Sequence, residues 1–364
     1  MQKIKRRLLK YSHLIKPIIT VFLILFVLVI LYKILFPIYI FVRDNKISPQ
    51  VLSSLLFNSS PPLTQTNGRT NLVILGIAGG NHEGPYLTDS IIFMSLNLQN
   101  QDTLMLSIPR DIYLSTLKDK INIAYETGEK KKRGGGLILS KATIEEVVGQ
   151  PIHYAWVVDF SGFQKLIDLV GGLDIQVERS FEDNEYPIAG KENADCKDDK
   201  EYKCRYETLH FEAGLQHMDG ETALKFVRSR HAQGDEGTDF ARGKRQQKVI
   251  LTLKDKILQT DKKDIGKIKS LLQSFDQATQ TDMNWGEILL LGKVFETIKT
   301  DQIKRPVLDS TDEINDKKGF LVNPPLWEYD GQWVLIPRTG EDNFEEIHQY
   351  IDCWLEQPKC SLLP

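Results

Sequence analysis

Three regimes of hydrophobic patterning divide this chain. Between residues 17 and 42 apolar side chains follow one another with a single charge, Lys33. The run exceeds the roughly twenty residues a helix needs to cross a bilayer. Lys33 sits far enough along it to reach headgroups, and Tyr32, Tyr39 and Phe41 suit an interface. Over residues 43–70 the apolar period is lost. Ser59, Ser60, Pro61, Pro62, Thr64, Thr66, Asn67 and Gly68 give that stretch the character of a linker.

From residue 71 onward short apolar runs alternate with helical spacing. Strands are predicted over residues 71–77, 90–96 and 103–108, the last ended by Pro109. A helix over 141–148 stops at Gly149 and Pro151, and a strand follows over 153–158. The next helix, 162–170, has Ser161 as its N-cap and Gly171 and Gly172 beyond its end, before a strand over 173–177. Residues 181–206 are polar and read as a surface excursion. Helices return over 221–227, capped by Asp219, and over 240–257, where Val249, Ile250, Leu253 and Ile257 share a face. The tail holds a charged helical stretch over 260–282, a helix over 285–298, short strands near Phe320 and over 333–337, and a final helix over 345–354. It reads as an accessory lobe or as a wrap on the main sheet. The expected domains are therefore a basic tail (1–16), a membrane helix (17–42), a linker (43–70), a main α/β layered domain (71–260) and a small C-terminal α/β lobe (261–364).

Composition is that of a globular protein, with 41% hydrophobic and 26% charged residues, and excludes general disorder. The net charge of −3 hides an asymmetry: residues 1–42 hold seven basic and no acidic residues, leaving 39 basic against 49 acidic in the rest. A basic flank before the apolar run keeps the N-terminus cytoplasmic and sends the main domain across the membrane, once only. A cleaved signal peptide is the rival reading. It calls for a shorter apolar region and an Ala-x-Ala-like site, and neither is present. The acidic body opposes nucleic-acid binding, which rests on clustered Lys and Arg. The four cysteines show no Cys-x-x-Cys spacing, which argues against zinc. Outside the cytoplasm the simple pairings are Cys196 with Cys204 and Cys353 with Cys360; free thiols stay open because no spacing rule fixes connectivity.

Chemistry is concentrated where arginines sit. Ser107-Ile-Pro-Arg-Asp111 places Arg110 and Asp111 just after a strand, the usual location of functional groups in an open α/β sheet. Arg228 and Arg230 close one helix. On the next, Asp239, Arg242 and Gln246 share a face, with Arg245 beside Arg242. Five arginines converging in an acidic body suit phosphate oxygens, which take the planar bidentate donors of Arg. A solvated helix face explains Arg242, Lys244 and Arg245 as well, and the helix dipole explains Arg228 and Arg230. Asp89, just before a strand, is either a turn cap or a ligand for Mg²⁺.

Taken in order, several segments resemble the LytR-CpsA-Psr family of cell-envelope proteins over about residues 71–257. They are Thr88-Asp-Ser90, Ser107-Ile-Pro-Arg-Asp111, Lys120-Ile-Asn122, Asp159-Phe-Ser-Gly-Phe163 with Val170-Gly-Gly172, Asp219-Gly-Glu-Thr-Ala-Leu224, Phe226-Val-Arg-Ser-Arg-His231 and Arg245-Gln-Gln247. The resemblance implies a three-layer α/β/α domain whose central mixed sheet covers a long apolar pocket for a polyprenyl chain, with the diphosphate at its mouth. It matches Asp89 to a Mg²⁺ ligand, and Arg110, Arg228, Arg230, Arg242 and Gln246 to phosphate contacts. Asp239 matches the acidic residue among them. It implies a membrane-anchored phosphotransferase that moves a glycopolymer from a polyprenyl-diphosphate carrier to a wall acceptor, usually peptidoglycan. Arg110 is the expected catalytic cation, and Asp111 or Asp239 the general base. Two positions depart from the pattern: Ala78 stands where a second metal carboxylate is common, and Leu87 where an arginine is. His82 and Glu83 are candidate replacement ligands or plain loop residues. A lipid-diphosphate-binding or hydrolysing protein uses the same arginines. An envelope-signalling or transcription regulator is the third reading, opposed by the span, the acidic body and the lack of a basic helix-turn-helix pattern.

Overall fold

The computed structural model describes residues 2–57, 62–80, 84–191, 193–197, 199–260, 265–311 and 318–362. His82 and Glu83 lie outside them. The chain forms two compact units. The first comprises residues 1–62 and 284–290. Its helix α1 (Gln2–Asp44) contains a 28-residue stretch, Pro17–Asp44, long and apolar enough to cross a membrane. The expected linker is not featureless. Ser48 accepts a hydrogen bond from the Val51 amide at 3.3 Å at the start of α2 (Pro49–Phe57), which buries Val51 and Ser54. The polar and turn-forming residues from Ser59 to Gly68 carried the linker expectation, but the preceding Val51, Leu52 and Leu55 are at helical spacing.

The second unit begins with strands β1 (Arg69–Ile77), β2 (Thr88–Asn97) and β3 (Thr103–Ile108), followed by the short pair β4 (Tyr113–Leu114) and β5 (Asp119–Lys120). Helices α3 (Ala124–Lys131) and α4 (Gly135–Val148) lead to β6 (Tyr154–Asp159), α5 (Phe160–Leu169) and β7 (Leu173–Val177). The pair β8 (Phe181–Pro187) and β9 (Tyr206–Phe211) precedes β10 (Gly214–Met218), α6 (Gly220–Arg228) and α7 (Asp239–Leu258). Then come α8 (Ile265–Ala278), β11 (Thr279–Thr281), the part of α9 (Trp285–Thr297) beyond residue 290, the pair β12 (Leu321–Val322) and β13 (Ile336–Pro337), and α10 (Glu345–Glu356). The central sheet has the order β11-β6-β1-β2-β3. It is mixed, because β1 runs parallel to β6 and antiparallel to β2.

Strand pleating sends alternate residues to opposite faces, and that alternation separates a filled layer from an open one. Val73, Leu75, Phe93, Leu106 and Val157 face a core shared with Leu137, Ile144 and Val148 of α4 and Ile347 and Ile351 of α10. Gly149 ends α4 in the left-handed conformation, where only glycine is unstrained, and an added Cβ there would meet the His348 ring at 2.6 Å. The tail is thus a wrap and not a separate lobe. Leu308, Phe320, Leu335 and Phe344 complete the same core, and β11 pairs with β6 at the sheet edge. Helices α5, α6 and α7 cover the other face, giving the three-layer α/β/α arrangement.

Local signals held in most places. Asp219 caps α6, accepting from the Thr222 amide at 2.8 Å. At α5 the cap is Asp159, which accepts from Gly162 at 2.7 Å, and the helix starts two residues earlier than Ser161 capping implied. The expected surface excursion holds real strands: β8 and β9 pair antiparallel, and Phe181, Asp183 and Tyr186 are buried. Both local disulfides are present, Cys196–Cys204 and Cys353–Cys360.

Candidate active site

The sheet face beneath α5–α7 is the floor of a cavity of about 390 Å³, within the range of small-molecule sites. Register places its residues in two rows across three strands: Ile92, Ile74 and Trp156 in one, Ser90, Gly76 and Val158 in the other. Glycine eases the second row, since a Cβ on residue 76 would stand 3.1 Å from that of Ser90 and push it aside by a few tenths of an ångström. The roof of the cavity has Phe163 and Leu166 from α5, Leu224 and Val227 from α6, and Phe275 from α8.

Helix α7 joins the two chemistries of the cavity. Arg242, Gln246, Ile250, Leu253 and Ile257 all line it, at spacings of four, four, three and four that make one stripe. The stripe is charged at the N-terminal end of the helix and apolar toward the other. Buried Gln247 fixes α7 in place, its amide donating to Met105 O, Ser107 Oγ and Pro306 O at 2.9–3.2 Å.

At the charged end Arg110, Arg228, Arg230 and Arg242 meet Asp89. Arg110 is ion-paired with Asp89, and its Nε lies 3.5 Å from Asp111. Arg242 is 7% exposed and bonds Asp239 at 2.8 Å. Arg228 donates to the Tyr186 hydroxyl at 3.1 Å and lies 4.3 Å over the Phe160 ring. Arg230 is exposed, and neither it nor Arg228 pairs with a carboxylate among the described residues. Burial lowers the Arg242 pKa, Asp239 and Asp89 restore only part of it, and the neighbouring Arg110 and Arg230 lower it further. For Arg110 burial acts the same way, but Asp89, Asp111 and Asp239 outweigh it and the pKa rises. An arginine whose pKa is depressed among other arginines is stabilised by an incoming anion.

Of the residues singled out from sequence, Asp89, Arg110, Arg228, Arg230, Arg242 and Gln246 come together on this cavity. Asp239 lines an adjoining recess of about 20 Å³ shared with Asp89, Ser90, Arg242 and Gln246. Asp111 does not face either space: it is 4% exposed and bonds Lys120 at 2.8 Å. Arg245 does not join the cluster either. It lies on another face of α7, 5% exposed, donating to the carbonyls of Phe226 and Ser229 and to Glu236. An i, i+3 neighbour sits about 60° away around a helix of 3.6 residues per turn, enough to carry a side chain past the edge of a cavity. Sequence reading missed Asp183, Tyr186 and Phe160, all on the cavity lining. The available signal was the alternation of Phe181 and Asp183 before Tyr186, with Leu209 and Phe211 opposite, partly hidden by a register shift between Asp183 and Tyr186.

A model of the LytR_cpsA_psr family matches residues 42–325. The polyisoprenyl-teichoic acid–peptidoglycan teichoic acid transferase TagV of Bacillus subtilis (strain 168) is 29% identical over 222 residues, 59% of this chain and 50% of that protein. TagU of Bacillus cereus (strain ATCC 14579), which carries the same activity in its name, is 33% identical over 185 residues, half of each chain. The chain thus spans about half the length of the curated relatives it matches. The crystal structure of B. subtilis TagV superimposes with a TM-score of 0.55 at 23% identity, covering 80% of this chain and 99% of that one. TagT bound to LIIa-WTA gives 0.52 at 19%, covering 81% and 94%. These two likenesses are of fold. With the ordered motifs, the mixed sheet and the match over most of its length, the chain belongs to the LytR_cpsA_psr family.

Proposed function

We propose that this protein is a single-pass membrane-anchored phosphotransferase, its N-terminus cytoplasmic and its main domain outside. It moves a glycopolymer from a polyprenyl-diphosphate carrier to a hydroxyl of the cell wall, most simply of peptidoglycan. The observation that carries the reading is the α7 stripe over its sheet floor: an apolar cavity that ends in four arginines matches an amphiphile with a prenyl tail and a diphosphate head. The names of TagV and TagU describe transfer of teichoic acid from a polyisoprenyl carrier to peptidoglycan, which supports the same substrate class.

As the acceptor hydroxyl attacks the sugar-linked phosphorus, negative charge grows on the equatorial oxygens and on the departing polyprenyl phosphate. Arg110, Arg230 and Arg242 are held where they oppose it, and removing such a donor costs about 2.7–4 kcal/mol of barrier. The acceptor proton goes to Asp239, which lines the recess beside Asp89, in preference to Asp111, which is enclosed by Lys120 and Arg110. Asp89 fits a Mg²⁺ ion that shares substrate phosphates, because only one of its oxygens is engaged by Arg110 and Mg²⁺ needs as few as one protein carboxylate there. When bound, the ion opposes charge on the phosphate oxygens.

The test incubates the full chain in detergent with polyprenyl-diphosphate-linked sugar, a wall acceptor and Mg²⁺, and identifies the products by mass. Polyprenyl monophosphate together with a sugar-phosphate adduct of the acceptor is expected. The same lipid with free sugar phosphate would make the protein a hydrolase, and unchanged lipid would overturn the assignment.

A further inference from the structure

Two buried polar side chains hold one short turn, one through its amides and a hydroxyl, the other through carbonyls. The turn, residues 228–231, ends α6 and carries Arg228 and Arg230. Asp183 is fully buried, and among the described residues its hydrogen bonds come from neutral donors, while the Arg245 charge acts on it through space. Ser229 Oγ donates at 2.7 Å, and the amides of Arg230, His231 and Glu185 at 3.1, 3.2 and 3.0 Å. Arg245 takes the carbonyls: its Nη2 donates to Ser229 O at 2.6 Å and its Nε to Phe226 O at 3.0 Å. Ser229, itself fully buried, is held through both its hydroxyl and its carbonyl.

Stability accounts for part of this arrangement: a carboxylate at a helix C-terminus opposes the helix dipole, but four hydrogen bonds and the nearby Arg245 charge offset the cost of burying it. What the arrangement also achieves is a fixed backbone beneath an exposed side chain: Arg230 is free to meet a ligand while its amide is anchored. Electrostatic stabilisation is effective when donors need not reorganise as charge develops. We infer that Asp183 and Arg245 are positioning residues, which set the backbone of residues 228–231 so that Arg230 and Arg228 point at the anionic group of the ligand. The inference rests on the diphosphate reading of the cavity, and it gives Arg245 a role other than contact with phosphate. The hydrogen bonds to Asp183 also hold its pKa low against the upward push of burial, so it stays ionised in the assay.

Two measurements on the full chain in detergent separate the turn from the ligand. Amide hydrogen exchange is followed over residues 228–232 and over β1 in the wild type, D183N and R245K. Affinity for geranylgeranyl diphosphate is measured in the same proteins, in R230A and in D183N/R230A. Exchange at Arg230 and His231 is expected to quicken at least about tenfold in D183N with β1 unchanged, and R245K, which keeps charge but loses the guanidinium fork, should shift the same segment. Affinity should fall about tenfold in D183N but less than about twofold when R230A is already present. Unchanged exchange in both variants would overturn the inference. So would quicker exchange with unchanged affinity, or an equal loss with and without Arg230. A wild type that fails to bind geranylgeranyl diphosphate would refute the diphosphate reading, while exchange would still decide whether the two residues hold the turn.

Discussion

The two faces of the central sheet are made from similar residues and end in different states. On one, Val73, Leu75 and Phe93 are sealed by α4 and α10 and have no exposure. On the other, Ile74 and Trp156 border about 390 Å³ of open space under α5–α7. The strands do not make this difference, since each sends alternate residues to both sides. The helices do. Helix α10 presents Ile347 and Ile351 to its layer, whereas α7 presents a stripe that begins with Arg242 and Gln246, polar groups that a closed apolar contact would leave unsatisfied. A hydrophobic strand thus announces burial but not whether the space above it is filled.

Substitutions can push this contrast until it fails. The largest effect is expected for Phe93→Ala on the filled face, which should cost about 3–5 kcal/mol of stability in thermal or denaturant unfolding, because the void is enclosed on all sides. Arg110→Ala or Arg230→Ala on the open side should leave the melting transition near that of the wild type and lower transfer by at least about a hundredfold. Retained turnover in both purified variants would remove the arginines from the mechanism. Ile74→Ala should lose less than about 2 kcal/mol, since its side chain already borders empty space, while weakening geranylgeranyl diphosphate binding. A loss as large as that at Phe93 would show that the open face is packed in solution.

Acid gives the smallest and most local contrast. The Asp183 pKa is lowered in the folded protein, where burial is outweighed by hydrogen bonds from Ser229 and neighbouring amides. Its contribution is therefore complete above the unfolded value of about 3.9 and fades as pH falls below that through the folded value. Hydrogen exchange near residues 228–231 should accelerate as the pH drops through that window, after correction for intrinsic rates, before β1 is affected. D183N should abolish that dependence.

Much of the organisation was legible because its causes are local. Residues 103–108 form a strand with the expected limits, Asp219 caps its helix, and Cys196 and Cys353 pair with their nearest partners. At the site, the spacing of Asp239, Arg242 and Gln246 was sufficient to place them on one side of α7, and the ordered motifs brought Asp89 and Arg110 into consideration. Arg245 misled because three residues along a helix is near in sequence terms yet turns a side chain onto Phe226 and the carbonyl of Ser229. Asp183 was passed over because the charges around it resemble those of a solvated loop, and three of its four hydrogen-bond partners lie 46 to 48 residues away.

The sequence by itself determined the membrane-length apolar helix, the alternation of strand and helix, the caps, and which residue types are able to hold phosphate. Those follow from chain-local physics: hydrophobic period, backbone preference and the geometry of a guanidinium group. Tertiary structure decided which face of the sheet stays open, that Arg242 meets the cavity while Arg245 supports a turn, and that Asp183 belongs to the site. Each depends on segments distant in the chain sharing one enclosed volume, where packing and unsatisfied polar groups, and not neighbours in sequence, settle the outcome.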